Sequence, residues 1–178
     1  MKPLFALFAL TALPAADHVR EITGFPAGTI LIRDAVQEEE MEQHGLGVHT
    51  KGDELTLVEP DGTLVSGDVV QNKTMPFIYG DGGTPSSWLA VLDKVAQLKV
   101  AHVVPDHSPP GDGSLIAAER DLIARIRSEA LALKRQGLAV DAAGKEVSAD
   151  LHRQHPDWPD THASGFVKSV YADPDDAQ

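Results

Sequence analysis

The sequence contains no cysteine among its 178 residues. Disulfide bonds, thiolate zinc sites, iron–sulfur clusters and a cysteine nucleophile are therefore excluded, because each of them needs a thiol. Imidazole and carboxylate groups remain as the candidate metal ligands. The chain offers eight histidines and 27 Asp and Glu residues for that purpose.

Basic residues are few, since 15 Lys and Arg stand against 27 Asp and Glu and give a formal net charge of −12. Binding to nucleic acid or to an anionic membrane needs a basic surface that can displace counterions. The charge balance therefore argues against both of these partners, and it is compatible with a site for a cation. A hydrophobic content of 42% predicts one globular domain with a sizeable core.

The apolar run near the N-terminus, Leu4–Leu10, is too short for a membrane-spanning helix, which needs about 20 residues. It follows Lys2 and precedes the small residues of Thr11–Ala16, a pattern typical of a secretory signal peptide. We therefore expect residues 1–16 to be a signal peptide and residues 17–178 to form the mature domain. This domain is expected to be periplasmic or secreted, with no attachment to a membrane after the signal peptide is removed. The alternative is that the run is a buried strand or helix of a cytoplasmic protein.

Neither internal repeats nor low-complexity segments interrupt the chain, and its first half favours strands. Thr29–Arg33 is rich in residues that prefer strands, whereas the acidic segment Ala35–His44 predicts an exposed helix. Leu55–Glu59 and Thr63–Ser66 flank the turn residues Pro60–Gly62. This arrangement predicts a β-hairpin.

The middle of the chain predicts a helix and then a strand. Apolar residues recur at helical spacing after Ser86 or Ser87, which predicts a helix from residue 88 to about residue 98 with one of these serines as its cap. A short apolar strand follows at Ala101–Val104. His102 lies within this strand and is expected to be a buried histidine with satisfied hydrogen bonds.

Two further helices are predicted in the last third of the chain. The first is Ser114–Arg135, which has an apolar stripe and is followed by Gly137, a residue that commonly ends helices. The second is Ala163–Tyr171. Strands interleaved with helices place the chain in the α/β class.

Three loops carry a metal-binding side chain where a predicted strand ends, namely His49, Asp68 and His107. The pair Asp17 and His18 is a fourth candidate. Loops at strand ends suit this role because the sheet holds them while their side chains stay exposed. Neutral imidazole and carboxylate are donors that zinc accepts at about 2.0–2.2 Å. Taken singly, such residues are more often solvated or capping groups, so the prediction depends on their order and spacing.

Four segments in this order resemble the second half of the metallo-β-lactamase superfamily. They are Val48–Asp53, Ser66–Asp68, Trp88–Leu92 and Val103–Ser108. They are similar to the superfamily's His-Thr-x-Gly-Asp segment, its Gly-Asp strand end, its Trp-Leu helix start and its Val-Val-Pro-Gly-His-Gly loop. The resemblance implies an α/β fold, namely a partial metallo-β-lactamase αβ/βα sandwich. An incomplete sheet would have an exposed edge, which predicts self-association.

The resemblance also implies roles for the candidate ligands. His49 would bind the first zinc ion, Asp68 would be the bridging and catalytic carboxylate, and His107 would bind the second zinc ion. Asp17 and His18 would correspond to the last two residues of the superfamily's His-x-His-x-Asp-His loop, as ligands of the second ion.

The sequence departs from the superfamily pattern at both ends of the motif set. Leu13 and Ala15 replace the two histidines of the upstream loop, and neither side chain can bind a metal. We therefore expect one or two zinc ions, with the first site weak or empty. Asp106 and Ser108 replace the glycines that flank the last histidine. We interpret Asp106 as a surface charge, with an additional ligand or a partner of a ligand as the alternatives.

By this resemblance, the chain is expected to be a zinc-dependent hydrolase of a small-molecule ester, thioester or lactam, acting through a metal-bound hydroxide. The loss of two histidines supports an alternative, a catalytically degenerate fragment or a metal-binding homologue that is not an enzyme. A third hypothesis is that the start of the gene is misplaced and that the natural chain is longer. The fold by itself does not fix a substrate, because one fold hosts many reactions.

Overall fold

The computed structural model of the chain describes residues 29–33, 54–58, 61–78 and 83–173. Within these ranges the chain forms a small sheet and several helices. The strands are β1 (Thr29–Arg33), β2 (Glu54–Val58), β3 (Thr63–Gly67), β4 (His102–Pro105) and β5 (Gly111–Asp112). The helices are α1 (Pro85–Val95), α2 (Ser114–Arg135), α3 (Val140–Gln154) and α4 (Ser164–Ala172). The predicted α/β class is confirmed.

Two predictions near the N-terminus concern residues that the structure does not describe. The predicted signal peptide, residues 1–16, and the predicted helix Ala35–His44 lie outside the described residues. Cleavage, export and the boundary of the mature domain therefore stay predictions. Among the helices that the structure does describe, none has both the length and the apolarity that crossing a membrane requires.

The strands that the structure describes join one sheet in the order β1-β2-β3-β4-β5. β1, β2 and β3 pair in antiparallel fashion, and the β2–β3 hairpin occupies its predicted position. Gly62 in the hairpin turn has a φ of +69°, a left-handed conformation that glycine adopts without strain. β3 and β4 pair in parallel, and the two-residue strand β5 pairs with β4 in antiparallel fashion.

Helix α1 connects the parallel strands β3 and β4, and it begins earlier than predicted. Its N-cap is Thr84, whose Oγ1 accepts a hydrogen bond from the Ser87 N–H at 3.0 Å. In return, the Thr84 N–H donates to Ser87 Oγ at 3.0 Å. The predicted cap at Ser86 or Ser87 is therefore wrong. Pro85 explains the difference, because proline lacks an N–H donor and fits the first position of a helix that follows Thr84.

The core beneath α1 contains a fully buried tryptophan. Trp88 Nε1 donates a hydrogen bond to the Val69 carbonyl oxygen at 2.9 Å, and the Trp88 ring centroid lies 6.3 Å from that of Phe166 in α4. Trp88 therefore ties α1 both to the loop after β3 and to α4. Other fully buried side chains of the same core are Leu55, Leu64, Leu92, Ile123, Ile126 and Leu151.

The other helices pack beside α1, and one of them is absent from the sequence-based prediction. Helix α2 has its predicted bounds, and Gly137 after it has a φ of +82°. Helix α3 was missed because its buried face includes small residues such as Ala143 and Gly144, which give a weak apolar pattern. Gly144 permits close packing on α4, since a Cβ there would lie 2.9 Å from the Cα of Ser164.

His102 is exposed, which corrects the expectation that it is buried. Side chains alternate across the sheet along a strand, so Val103 and Pro105 in β4 are buried while His102 lies on the outer face. A short apolar run does not reveal which of its two faces is covered. The strand also extends to Pro105, one residue beyond the predicted end.

A carboxyl group interrupts the apolar stripe of α2, a feature that the sequence analysis did not single out. Glu119 lies on the buried face between Ile116 and Ile123 and is only 3% exposed. Its Oε1 has no hydrogen-bond partner within the described part of the chain. Burial raises the pKa of this carboxyl well above its ordinary value of 4.5, because its charged form loses hydration.

Glu119→Gln should flatten the pH dependence of stability. Just above pH 4.5 the unfolded chain releases the proton that folded Glu119 keeps, so the free energy of unfolding falls as the pH rises towards the raised pKa. Below pH 4.5 both states are protonated, and the contribution of Glu119 is fully present. Urea unfolding followed by circular dichroism over a series of pH values measures the slope. Glu146→Gln, which removes an exposed carboxyl, is the control, and equal slopes in all three proteins would contradict the prediction.

Trp88→Phe should lower the free energy of unfolding by about 1–3 kcal/mol, because the buried Val69 carbonyl oxygen loses its donor. Urea unfolding at neutral pH measures the loss. Trp158→Phe is the matched control at a half-buried position, where a smaller loss is expected. A Trp88→Phe protein as stable as the parent would show that the indole hydrogen bond does not stabilise the core.

Candidate metal centre

Two loops meet where the parallel strands β3 and β4 end. The pairing register sets Gly67 of β3 opposite Pro105 of β4, so both strands end at the same edge of the sheet. Asp68 follows the first strand, while Asp106 and His107 follow the second. The parallel pairing therefore brings these three side chains together, although two separate parts of the sequence supply them.

The turn after β3 positions Asp68. Ser66 is skipped in the pairing of β3 with β4, and its buried hydroxyl donates a hydrogen bond to the Val70 carbonyl oxygen at 2.8 Å. Gly67 has a φ of +49°, in the left-handed region that glycine tolerates. In this Ser-Gly-Asp segment, the serine closes the turn and the glycine permits its bend. The aspartate is thereby held at the edge of the sheet.

The three side chains present their ligand atoms to one another. His107 Nε2 lies 3.6 Å from Asp68 Oδ1 and 3.4 Å from Asp106 Oδ2. One ligand atom from each residue lies within 4.8 Å of the others. The side chain of Asp68 is 27% exposed, that of Asp106 is 42% exposed and that of His107 is 73% exposed. The group is therefore open to solvent on the His107 side.

This geometry fits a shared divalent cation. Ligand atoms that surround one zinc ion tetrahedrally at about 2.1 Å lie about 3.4 Å apart, and the distances from His107 Nε2 are 3.4 and 3.6 Å. Two carboxylates and an imidazole form a donor set that zinc accepts. The same distances would also suit a protonated imidazole between two carboxylates. Three protein ligands would leave a fourth position for water or substrate.

The buried side chain of Gln71 contacts both carboxylates. It is 6% exposed, and its Nε2 donates hydrogen bonds to Asp106 Oδ1 at 2.7 Å and to the Gly67 carbonyl oxygen at 2.9 Å. A longer contact of 3.4 Å joins the same nitrogen to Asp68 Oδ1. One buried amide thus contacts both acidic members of the group. Such partners of metal ligands fix the ligand orientation.

A second contact fixes which way the Gln71 amide faces. Ser108 Oγ accepts a hydrogen bond from the Asn72 N–H at 2.8 Å and donates one to Gln71 Oε1 at 2.5 Å. Since Oε1 is engaged by this hydroxyl, Nε2 must face the carboxylates. The serine that replaces a superfamily glycine therefore joins the two loops.

The structure brings together two of the predicted ligands, Asp68 and His107. The other three, Asp17, His18 and His49, lie outside the described residues, so their metal binding stays a prediction.

Asp106 belongs to the group of candidate ligands, although its sequence position favoured a surface charge, and Gln71 was not predicted to contribute. Asp106 was interpreted as a surface charge, but its carboxylate lies beside His107 and accepts a hydrogen bond from Gln71. The one indication in the sequence was that Asp106 directly precedes His107, a candidate ligand. Gln71 carried no such signal, because its contacts with Asp106 and Ser108 join residues that are far apart in the sequence.

Comparison with known proteins gives a partial match. No family model matches the chain. The chain is 31% identical over 110 residues to the linear primary-alkylsulfatase of Pseudomonas sp. (strain ATCC 19151). The resemblance to the metallo-β-lactamase superfamily is confirmed. The match covers 56% of this chain and 21% of the alkylsulfatase, so the chain spans about a fifth of the length of the curated relative it matches.

Solved structures of metallo-β-lactamases also resemble part of this chain. VMB-1 at pH 5.5 is 24% identical with a TM-score of 0.39, over 46% of this chain and 39% of that protein. The metallo-β-lactamase from Pontibacter korlensis is 24% identical with a TM-score of 0.40, over 45% and 39%. TMB-1 is 18% identical with a TM-score of 0.40, over 46% and 39%. At these TM-scores the likenesses carry no property of those proteins to this chain.

Gln71→Leu should weaken zinc binding by roughly 10–100-fold, since the Asp106 and Asp68 carboxylates lose the amide that orients them. Leucine keeps the buried volume filled, so the fold should persist. Isothermal titration calorimetry with zinc chloride measures the affinity. Gln97→Leu removes an exposed glutamine whose Nε2 donates to the Asp93 carbonyl oxygen, and it serves as the control. Equal affinities in the two variants would show that Gln71 does not support the carboxylates.

Proposed function

We propose that this metallo-β-lactamase relative is a metal-dependent hydrolase whose cation is held by Asp68, Asp106 and His107. The observation that carries the proposal is the convergence of two carboxylates and an imidazole at the joint end of two parallel strands. The relationship to superfamily hydrolases supports the reaction class. Zinc is the cation that this relationship and the donor set favour.

The exposure of each ligand suggests a different role for it in the proposed reaction. A zinc ion held there would act as a Lewis acid that activates water and polarises the scissile ester. Asp68 is the least exposed of the three ligands and is held by the tight turn after β3, so it can accept a proton at a fixed position. His107 is the most exposed ligand and borders the side from which a substrate would arrive.

We propose that the substrate is a small molecule with an ester-type bond. An ester, a thioester or a lactam is compatible with the superfamily relationship. The similarity to the linear primary-alkylsulfatase from Pseudomonas adds a sulfate ester of a primary alcohol as a class to be tested. We further propose that residues 1–16 are a signal peptide and that the enzyme acts on its substrate in the periplasm or outside the cell.

A second candidate function is metal binding without catalysis. By the resemblance, Leu13 and Ala15 correspond to two histidines of the superfamily loop, which would leave the first site without two of its ligands. A single cation at Asp68, Asp106 and His107 could then have a structural or a binding role. Metal content and turnover separate the two candidates.

Asp68→Asn and His107→Ala should each lower zinc affinity at least tenfold and abolish hydrolysis, because each removes one of three ligands. Calorimetry gives the affinity. Turnover of 4-nitrophenyl acetate and of a primary alkyl sulfate, with and without a chelator, gives the activity. Asp160→Asn and His162→Ala are matched controls, since these residues form another exposed Asp–His pair, on the loop before α4. Zinc binding without chelator-sensitive turnover favours the second candidate, and equal affinity in all variants defeats both.

Asp106→Asn separates two interpretations of the residue that replaces a superfamily glycine. If Asp106 is a ligand, the variant should lose zinc affinity to the same extent as Asp68→Asn. If Asp106 is only a surface charge, its removal should leave the affinity within about twofold of the parent value, as expected for an exposed charge. The latter result would reduce the proposed site to Asp68 and His107.

A further inference from the structure

A cavity lies between α2 and two loops, and its lining residues differ from those of the metal group. Its volume is about 360 Å³, within the range of small-molecule sites. Helix α2 supplies one wall, the loop after β3 supplies Gln71–Lys73, and the loop after α3 supplies His155 and Trp158. Most of the lining is apolar and comes from Leu115, Ala118, Leu122 and Trp158.

Glu119 is the one carboxyl of this cavity that is buried. The residue lines the cavity, yet it is only 3% exposed, and its Oε1 has no hydrogen-bond partner in the described residues. A carboxyl group in apolar surroundings costs free energy unless it finds a donor or a counter-charge. The other carboxyl of the lining, Asp121, has a side chain that is 80% exposed and is therefore solvated.

The charged and titratable neighbours of Glu119 do not neutralise it. Lys73 lines the cavity, but its Nζ lies 3.3 Å from Asp157 Oδ2, and Asp157 does not line the cavity. Arg125 contacts His155, whose ring stacks on Trp158 with 4.1 Å between the centroids. Burial is the cause of the raised pKa of Glu119, with no contribution from either cation. The cavity thus has a buried carboxyl whose Oε1 has no hydrogen-bond donor within the described residues.

We propose that this cavity binds a small organic cation of the primary alkylammonium class, with the ammonium on Glu119 and the alkyl chain along Leu115, Leu122 and Trp158. An ammonium supplies both the hydrogen-bond donors and the positive charge that the buried carboxyl needs. An organic anion would be repelled by ionised Glu119. An alcohol of equal length would supply one donor and no charge, so it would bind less tightly.

The proposal is independent of hydrolysis, although Gln71 contributes to both sites. Ammonium binding needs Glu119 and the apolar wall, and none of these residues belongs to the group Asp68, Asp106 and His107. Loss of the metal group through Asp68→Asn should therefore leave ammonium binding unchanged. A failure of the proposed enzymatic function and a failure of this proposal are thus separate results.

Binding should also depend on pH in a defined direction. The ammonium pairs with ionised Glu119, so affinity should rise with pH through the raised pKa of that carboxyl and fall again near pH 10, where the amine itself loses its proton. The other titratable and charged groups around the cavity are Lys73, Asp121, Arg125 and His155.

The test is calorimetry of n-butylammonium chloride with the full chain at pH 8, beside n-butanol and sodium butyrate as neutral and anionic probes of similar length. We expect saturable binding of butylammonium at least tenfold tighter than that of butanol, and no binding of butyrate. Glu119→Gln keeps the shape of the side chain and should reduce butylammonium affinity at least tenfold. Glu146→Gln, which removes an exposed carboxyl of α3, should leave the affinity unchanged.

A second variant keeps the test informative if Glu119→Gln disturbs the fold. Leu122→Ala widens the apolar wall and should weaken butylammonium binding while leaving Glu119 in place. Equal binding of butanol and butylammonium would overturn the proposal. The same holds for unchanged affinity in a folded Glu119→Gln protein, or for the absence of saturable butylammonium binding to the parent chain.

Discussion

The parallel pairing of β3 with β4 is the constraint on which the candidate site depends. It ends both strands at one edge of the sheet, where Asp68 meets Asp106 and His107. A parallel pair needs a crossover, and α1 provides it. The Trp88 indole fixes that helix to the Val69 carbonyl oxygen, one residue beyond Asp68, so the core and the candidate site share one anchor.

Two adjacent carboxylates on a chain with a net charge of −12 repel each other, and two features of the structure reduce this repulsion. The buried amide of Gln71 donates to Asp106 and contacts Asp68, and His107 lies against both carboxylates. A shared cation would remove the remaining repulsion. Glu119 is a different case, because burial suppresses its charge and no donor reaches its Oε1 within the described residues.

Local patterns predicted much of the fold, and long-range contacts account for what was missed. The β2–β3 hairpin and the bounds of α2 followed from turn residues and an apolar stripe. The meeting of Asp68 with His107 followed from a family resemblance, since their proximity depends on strand pairing rather than on sequence spacing. Helix α3 was not predicted because its buried face contains small residues such as Gly144, which packs closely on α4 and gives only a weak apolar pattern. The roles of Gln71 and Ser108 were not predicted because their partners lie on the other loop.

The central claim is that one divalent cation sits between Asp68, Asp106 and His107. Crystallography of the zinc-loaded chain, with anomalous data collected on both sides of the zinc absorption edge, tests it most directly. The account predicts an anomalous peak about 2.0–2.2 Å from His107 Nε2 and from one oxygen of each carboxylate. A peak at other residues, with the imidazole of His107 still packed directly on the two carboxylates, would contradict it.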